Sequence, residues 1–132
     1  KNNFLKLENS KDIALCYQWM DWVSFTLAAP CAIVTLNTLL LTEDKRDMDK
    51  VSKSKEQILS LLKILDIHLL KNKFIVGKHF SLADIPAGCW YNRCLNLELD
   101  LSKFDGLKSW GSRLSDREAY QSAIVKAPLP PH

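Results

Sequence analysis

Apolar residues recur every three or four positions along most of this chain, which is the spacing that places them on one face of an α-helix. Five segments have this pattern and are predicted to be helices: positions 11–41, 51–70, 81–97, 104–115 and 116–125. No segment has the convincing apolar and polar alternation that is typical of a strand. The pattern therefore predicts an all-α fold, a helical bundle of about five helices.

The two ends of the chain lack this periodicity. Residues 1–9 are predicted to be a linker, and the proline-rich residues 127–132 are predicted to be an extended tail. A length of 132 residues suits one hydrophobic core, so positions 1–132 are expected to form a single domain. Because the chain begins at Lys1 without an initiator methionine, a fragment of a longer protein and a short natural protein both stay open.

The first helix raises the question of a membrane. Residues 22–42 contain no charged residue and are long enough to span a bilayer. However, this segment contains six Ser, Thr and Asn residues and a central Pro30, and acidic Asp21 precedes it where a basic anchor would be expected. A central helix packed on most sides by other helices has the same composition. We therefore expect a core helix and no membrane partner.

Composition and charge exclude several classes of function. A net charge of +3, with Lys and Arg spread along the chain, forms no concentrated basic face, so nucleic acid is not an expected partner. The four cysteines have no Cys-x-x-Cys spacing and lie in apolar segments, which predicts buried free thiols and a reducing, cytoplasmic location. The three histidines are too scattered to complete a zinc site, so no metal is expected.

The segment Phe74-Ile75-Val76-Gly77-Lys78-His79-Phe80-Ser81-Leu82-Ala83-Asp84-Ile85-Pro86 contains several helix-start signals. Ser81 and Asp84 have the spacing of a capping box, in which each side chain bonds the backbone N–H of the other residue. Phe80 and Ile85 have the spacing of a hydrophobic staple. Because this role accounts for Asp84, a structural carboxylate is predicted there rather than a catalytic one.

This segment resembles the sixth-helix motif of the C-terminal domain of glutathione transferases, and most closely that of the bacterial proteins. The run Gln18-Trp19-Met20-Asp21-Trp22, followed by Pro30, is similar to the family's fourth helix. Residues near the end are similar to its closing helices, where Glu118 replaces a typical proline: Leu107, Trp110, Arg113, Leu114, Arg117, Ala119 and Tyr120. The resemblance covers nearly the whole chain.

The resemblance implies a division of labour in a longer parent enzyme. In that family the glutathione thiolate attacks an electrophile, and most of the thiol-binding machinery lies in an N-terminal thioredoxin-like domain. No strand-helix-strand pattern of that kind precedes these helices. The chain alone is therefore expected to have no catalytic residue, to bind no cofactor and to be inactive, with glutathione as a co-substrate of the parent enzyme.

The resemblance also implies that the C-terminal domain forms one wall of the pocket for a hydrophobic electrophile and part of a homodimer surface. Both use the fourth helix, so the candidate substrate-binding residues are Tyr17, Met20, Asp21 and Ser24. Simpler roles stay open: core or interface for Tyr17 and Met20, and an interface or capping charge for Asp21. A second hypothesis is a non-catalytic docking domain, like those of translation elongation factors and aminoacyl-tRNA synthetase complexes.

Overall fold

A computed structural model describes residues 7–126, and within that range the chain forms five consecutive helices. Their bounds are α1 Ser10–Leu40, α2 Met48–Lys71, α3 Asp84–Cys94, α4 Asp105–Ser115 and α5 Glu118–Tyr120. No strand is present between residues 7 and 126, apart from an isolated bridge that pairs Phe74 with Gly77. The predicted all-α bundle is therefore confirmed.

The helix limits match the predictions to different degrees. Both ends of α1 and of α4 lie within one residue of the predicted limits. Three residues at each end of the predicted third helix form turns rather than α-helix, and α5 begins later than predicted and continues as the π-turn Gln121–Val125. Most of the predicted linker and the whole predicted tail, residues 127–132, lie outside the described residues.

Helix α1 begins under a side-chain cap. Asn9 accepts a hydrogen bond at 2.8 Å from the backbone N–H of Asp12, so Asn9 caps the helix and Ser10 is its first residue. Further along, Pro30 cannot donate to the carbonyl four residues before it. The helix is irregular just before that point: Val23–Leu27 is a π-turn, in which the N–H of Ala28 bonds to the carbonyl of Val23.

By length and composition alone, α1 could cross a bilayer, and 33% of its most apolar window is buried inside the protein. The buried side of α1 includes four residues with no exposed surface: Val23, Leu27, Cys31 and Val34. These residues join a core that is completed by the inward sides of α2, α3 and α4, including Ile58, Leu62, Leu65, Ala87, Leu107, Trp110 and Leu114. α1 packs along α2, and α2 packs along α4.

The packing of α2 on α4 depends on a glycine and a buried carboxylate. A Cβ atom on Gly106 would lie 2.5 Å from the backbone oxygen of Asp66, which is too close for any side chain. The carboxylate of Asp66 accepts a hydrogen bond at 2.9 Å from the N–H of Leu107, in the first turn of α4. Phe104, the N-cap residue of α4, makes no such bond with its side chain. A residue of α2 therefore caps α4 from a neighbouring helix.

The closing segment packs onto α3. A Cβ atom on Gly88 would lie 2.9 Å from the ring of Tyr120, and the Tyr120 hydroxyl donates a hydrogen bond at 3.0 Å to the Gly88 carbonyl. The pKa of Tyr120 is raised to about 12, mainly because the side chain is buried and to a smaller extent because Cys89 and Tyr91 are nearby. Gly106 and Gly88 therefore each let another element approach a helix closely.

We predict that Gly106→Ala lowers the free energy of unfolding by about 2 kcal/mol, because the added methyl group would push α4 away from the α2 backbone. This loss exceeds the gain of about 1 kcal/mol that alanine brings within a helix. Urea unfolding followed by circular dichroism measures the difference. Ser109→Ala, at an exposed position of the same helix, is the control and should change little.

Candidate functional site

The four candidate binding residues lie on α1, and three of them form one exposed strip. Tyr17 is 61% exposed, and Asp21 and Ser24 are also exposed. They follow each other at intervals of four and three residues, so their side chains lie on one side of the helix. Asp21 is the only charged residue of α1 after Asp12, so a single carboxylate dominates the electrostatics of this strip.

Met20 differs from the other three candidates. It is half-buried and packs against the hydrophobic core, and its sulfur lies 4.0 Å from the sulfur of Cys16. Met20 is next to Asp21 in the helix and therefore borders the exposed strip. Its side chain, however, faces the interior. The structure therefore brings Tyr17, Asp21 and Ser24 together at the surface and places Met20 at the edge of the core.

An exposed apolar side chain beside this strip was not among the predicted residues. Phe25 is 81% exposed, more than any other large hydrophobic residue between residues 7 and 126. It begins a line of exposed small and apolar residues that continues through Ala29 and Ala32 to Leu36 and Leu40. Contiguous apolar surface of this kind marks an interaction or ligand surface. The strip and this line together define the outer face of α1.

A small groove lies between α1 and α2, next to Trp19. It has a volume of about 320 Å³ and is lined by Leu15, Gln18, Trp19, Trp22, Ile64 and His68. Trp19 packs edge-on against Trp22 at 5.3 Å and lies 4.6 Å from the His68 ring, measured between centroids. Nε2 of His68 is 2.8 Å from the carbonyl of Ile75. The groove walls are therefore held in place, and both tryptophans are half-buried.

A larger cleft of about 820 Å³ lies at the start of α1, where residues 7–12 face the loop that follows α2. Its lining combines the basic residues Lys73, Lys78 and Arg117 with the acidic Glu8 and Asp12. Neither this cleft nor the small groove is lined by Tyr17, Met20, Asp21 or Ser24. Tyr17, Asp21 and Ser24 lie on exposed surface, and Met20 borders it.

Aromatic and guanidinium groups stack at the rim of the large cleft. Phe74 and Phe80 meet edge to face with centroids 6.1 Å apart. The guanidinium carbon of Arg117 is 3.8 Å from the Phe80 ring centroid, and that of Arg113 is 5.8 Å from the Phe74 ring centroid. These contacts fix the loop after α2 against the end of α4 and the residue that precedes α5.

The predicted capping residue Asp84 makes more contacts than a local cap would. It is completely buried, and its carboxylate accepts four hydrogen bonds. The donors are the Ser81 N–H at 2.9 Å, the Ser81 hydroxyl at 3.0 Å, the Ile75 N–H at 3.0 Å and the Trp110 indole N–H at 2.8 Å. Asp84 therefore joins the loop after α2, the start of α3 and the middle of α4.

The capping box is confirmed on one side only. The Asp84 carboxylate reaches the Ser81 N–H as predicted, but the Ser81 hydroxyl donates to that carboxylate instead of accepting from the Asp84 N–H. The Asp84 N–H bonds to the Ser81 backbone carbonyl at 3.1 Å. Ile85 is 43% exposed, and Phe80 packs on Phe74 and Arg117. The local Ser81–Asp84 pairing is therefore present, and tertiary donors are added at the same carboxylate.

The chemistry available on the outer face of α1 suits binding. It offers a phenol, a hydroxyl, a carboxylate and apolar surface, all without enclosure. Asp84, the most tightly held carboxylate, is completely buried and has hydrogen-bond donors at both oxygens. The arrangement can present an apolar wall with polar contacts at its edge to a ligand or to another protein surface.

A comparison with sequence models of protein families identifies one family. The sequence model for "Glutathione S-transferase, C-terminal domain" matches residues 12–118. Glutathione S-transferase GstB of Escherichia coli K12 is 24% identical over 108 residues, which are 82% of this chain and 52% of that protein. Disulfide-bond oxidoreductase YfcG of the same strain is 30% identical over 69 residues, which are 52% of this chain and 32% of that protein.

A solved structure is also similar. The theta class glutathione S-transferase of Xanthomonas axonopodis pv. citri, crystallised with glutathione bound, superposes with a TM-score of 0.87 and 26% identity. The match covers 93% of this chain and 65% of that one. For the Escherichia coli transferase GstB, the matched part of the chain spans about half of that protein's length, or 52%.

We predict that Asp84→Ala lowers the free energy of unfolding by about 3–5 kcal/mol, because it leaves buried N–H groups of Ser81, Ile75 and Trp110 without an acceptor. A purely local cap would be worth only about 0.5–2 kcal/mol. Urea unfolding measures the loss, with Asp116→Asn at an exposed position as the control. A loss of about 2 kcal/mol or less, as for a purely local cap, would contradict the tertiary role.

Proposed function

Because the family model matches residues 12–118, this chain belongs to the glutathione S-transferase C-terminal domain family, and we propose that it supplies the helical half of a glutathione transferase. In this proposal the outer face of α1 forms one wall of the pocket for a hydrophobic electrophile and part of a homodimer surface. The observation that carries the proposal is the exposed, nearly uncharged outer face of the helix Ser10–Leu40.

The exposed residues of this face suit the two roles differently. The rings of Tyr17 and Phe25 offer apolar area to an electrophile, since both are more than half exposed. Asp21 and Ser24 offer a carboxylate and a hydroxyl, which can bind polar groups of glutathione or of a facing subunit. Met20 can contribute only the part of its side chain that borders the strip.

Thiol activation is assigned to a different part of the parent protein. A glutathione thiolate needs nearby hydrogen-bond donors or positive charge to form at neutral pH. The outer face of α1 carries the opposite charge, from Asp21, and we assign no catalytic residue to this chain. We propose an N-terminal thioredoxin-like domain as the partner that binds and activates glutathione. The 52% coverage of the Escherichia coli relative leaves room for such a domain.

We also propose a cytoplasmic location, which is supported by the state of the cysteines. Cys16, Cys31 and Cys94 are buried and Cys89 is half-buried, and all four are free thiols. Proteins of oxidising compartments more often pair their cysteines in disulfides.

A docking function without catalysis is the second candidate, and the exposure of Phe25 favours it because partner surfaces use exposed aromatic anchors. The sequence immediately upstream of Lys1 in the gene product distinguishes the two. A strand-helix-strand unit with a cis-proline turn supports the transferase. A translation factor or synthetase sequence supports docking.

We predict that this chain alone is not retained on immobilised glutathione, whereas the full-length gene product is retained and eluted by free glutathione. The reason is that the outer face of α1 is open and offers only one wall of a site. Ultraviolet absorbance of the eluate measures retention. Clear retention of the isolated chain would mean that the glutathione site is self-contained.

We predict that Tyr17→Ala in the full-length protein raises KM for a hydrophobic electrophile roughly three- to tenfold and leaves KM for glutathione unchanged, because an apolar contact is lost. Steady-state kinetics with a chlorodinitrobenzene electrophile measures both constants. Gln57→Ala, at an exposed position of α2, is the control. An unchanged KM together with weaker dimerisation in sedimentation would reassign Tyr17 to the subunit interface.

A further inference from the structure

Two cysteines from distant parts of the sequence meet in the core. The sulfur of Cys31, in α1, lies 3.5 Å from the sulfur of Cys94, at the end of α3. The residues are 63 positions apart, and neither has any exposed surface. One thiol donates a weak hydrogen bond to the other. The described part of the chain thus contains a thiol pair that packs two helices together.

The two sulfurs are in non-bonded contact, 3.5 Å apart. A disulfide bond is about 2.05 Å long, so the two sulfurs would have to approach by about 1.5 Å. The helices that carry them already pack against each other in the core. The other two cysteines lack this arrangement: Cys16 has the Met20 sulfur as its neighbour, and no sulfur hydrogen bond joins Cys89 to another cysteine among residues 7–126.

Burial keeps the pair reduced in the closed structure. The pKa of the Cys94 thiol is raised well above its ordinary range, mainly by the hydrogen bond with Cys31 and also by burial. Since the thiolate is the reactive form, a buried thiol with a raised pKa reacts slowly with oxidants. The closed fold therefore protects the pair.

The end of α3 offers a route for oxidation. Cys94 is the last residue of α3, and the next two residues, Leu95 and Asn96, are exposed. Glu98, in the same turn, has a φ of +54°, a backbone conformation that is uncommon for residues other than glycine. Helix ends with exposed flanking residues open locally at a lower cost than the whole fold. Opening of this turn would expose Cys94 before the remainder of the core.

We propose that Cys31 and Cys94 form an oxidisable pair, which hydrogen peroxide converts into an intrachain disulfide between α1 and α3. Peroxide first oxidises the Cys94 thiol to a sulfenic acid and releases one water. The Cys31 sulfur then attacks the Cys94 sulfur, the S–S bond forms, the S–O bond breaks, and the leaving oxygen departs as a second water after it takes up the Cys31 proton. Overall, two thiols and one peroxide give one disulfide and two waters.

The disulfide would change the mechanics of the helix that carries the outer face. Closing a long loop removes conformational freedom from the unfolded chain, which stabilises the fold. It would also fasten α1 to α3 just beyond Phe25. The inference does not depend on the proposed transferase function, because it uses only the packing of two cysteines.

The test uses the full chain, treated with a few equivalents of hydrogen peroxide, quenched, alkylated in denaturant and analysed by mass spectrometry. We expect alkylation at only two of the four cysteines and a peptide pair that links Cys31 to Cys94. The melting temperature should rise by roughly 5–15 °C and fall again with dithiothreitol. Cys31→Ser and Cys94→Ser should lose both effects, whereas Cys16→Ser and Cys89→Ser should keep them.

Three results would overturn the proposal. One is alkylation of all four cysteines after a peroxide dose that oxidises the chain in denaturant. Another is a peptide pair that includes Cys16 or Cys89, and the third is a sulfinic acid at Cys94 without any link. The peptide map of the unsubstituted chain decides the pairing even where a serine variant does not fold.

Discussion

The carboxylate of Asp84 is the interaction on which the rest of this fold depends. It is completely buried and accepts hydrogen bonds from a loop, from a helix start and from the indole of another helix. A buried carboxylate is very costly unless its oxygens are fully satisfied. Three elements must therefore reach their positions together: α3, α4 and the loop that follows α2. If any one of them is absent, the Asp84 carboxylate lacks some of its hydrogen-bond donors. One side chain thereby couples the formation of three elements.

A second buried carboxylate, Asp66, continues this polar framework. It caps α4 from α2, at the point where Gly106 allows the two backbones to approach. The two carboxylates bind α2, α3, α4 and the intervening loop to one another by directional contacts. α1 packs on these elements largely through apolar residues such as Val23, Leu27 and Val34. Because Asp84 and Asp66 both lie outside α1, its outer face is free of these polar contacts.

The sequence predicted the helices and the family, and three of the four candidate binding residues that it named lie at the surface. Tyr17, Asp21 and Ser24 are exposed because polar groups on a largely apolar helix avoid the core. The same reasoning could not find Phe25. A helix that is apolar on most sides does not reveal which apolar residue faces outward. The partners of Asp84 were also beyond reach, since Trp110 is 26 positions away and spacing rules describe only neighbouring turns.

The C-terminal end of α1 provides a physical reason to regard its outer face as a surface for protein or ligand contacts. Asn37 is buried, and its side chain donates to the carbonyl of Ile33 at 2.8 Å and accepts from the N–H of Asp47 at 2.9 Å. The polar side chain of this apolar helix thus ties its end to the start of α2. The outer line from Phe25 to Leu40 carries no such polar anchor and exposes apolar area that water solvates poorly. The helix is consequently fixed on its inner side by the fold, and its outer side leaves apolar area exposed.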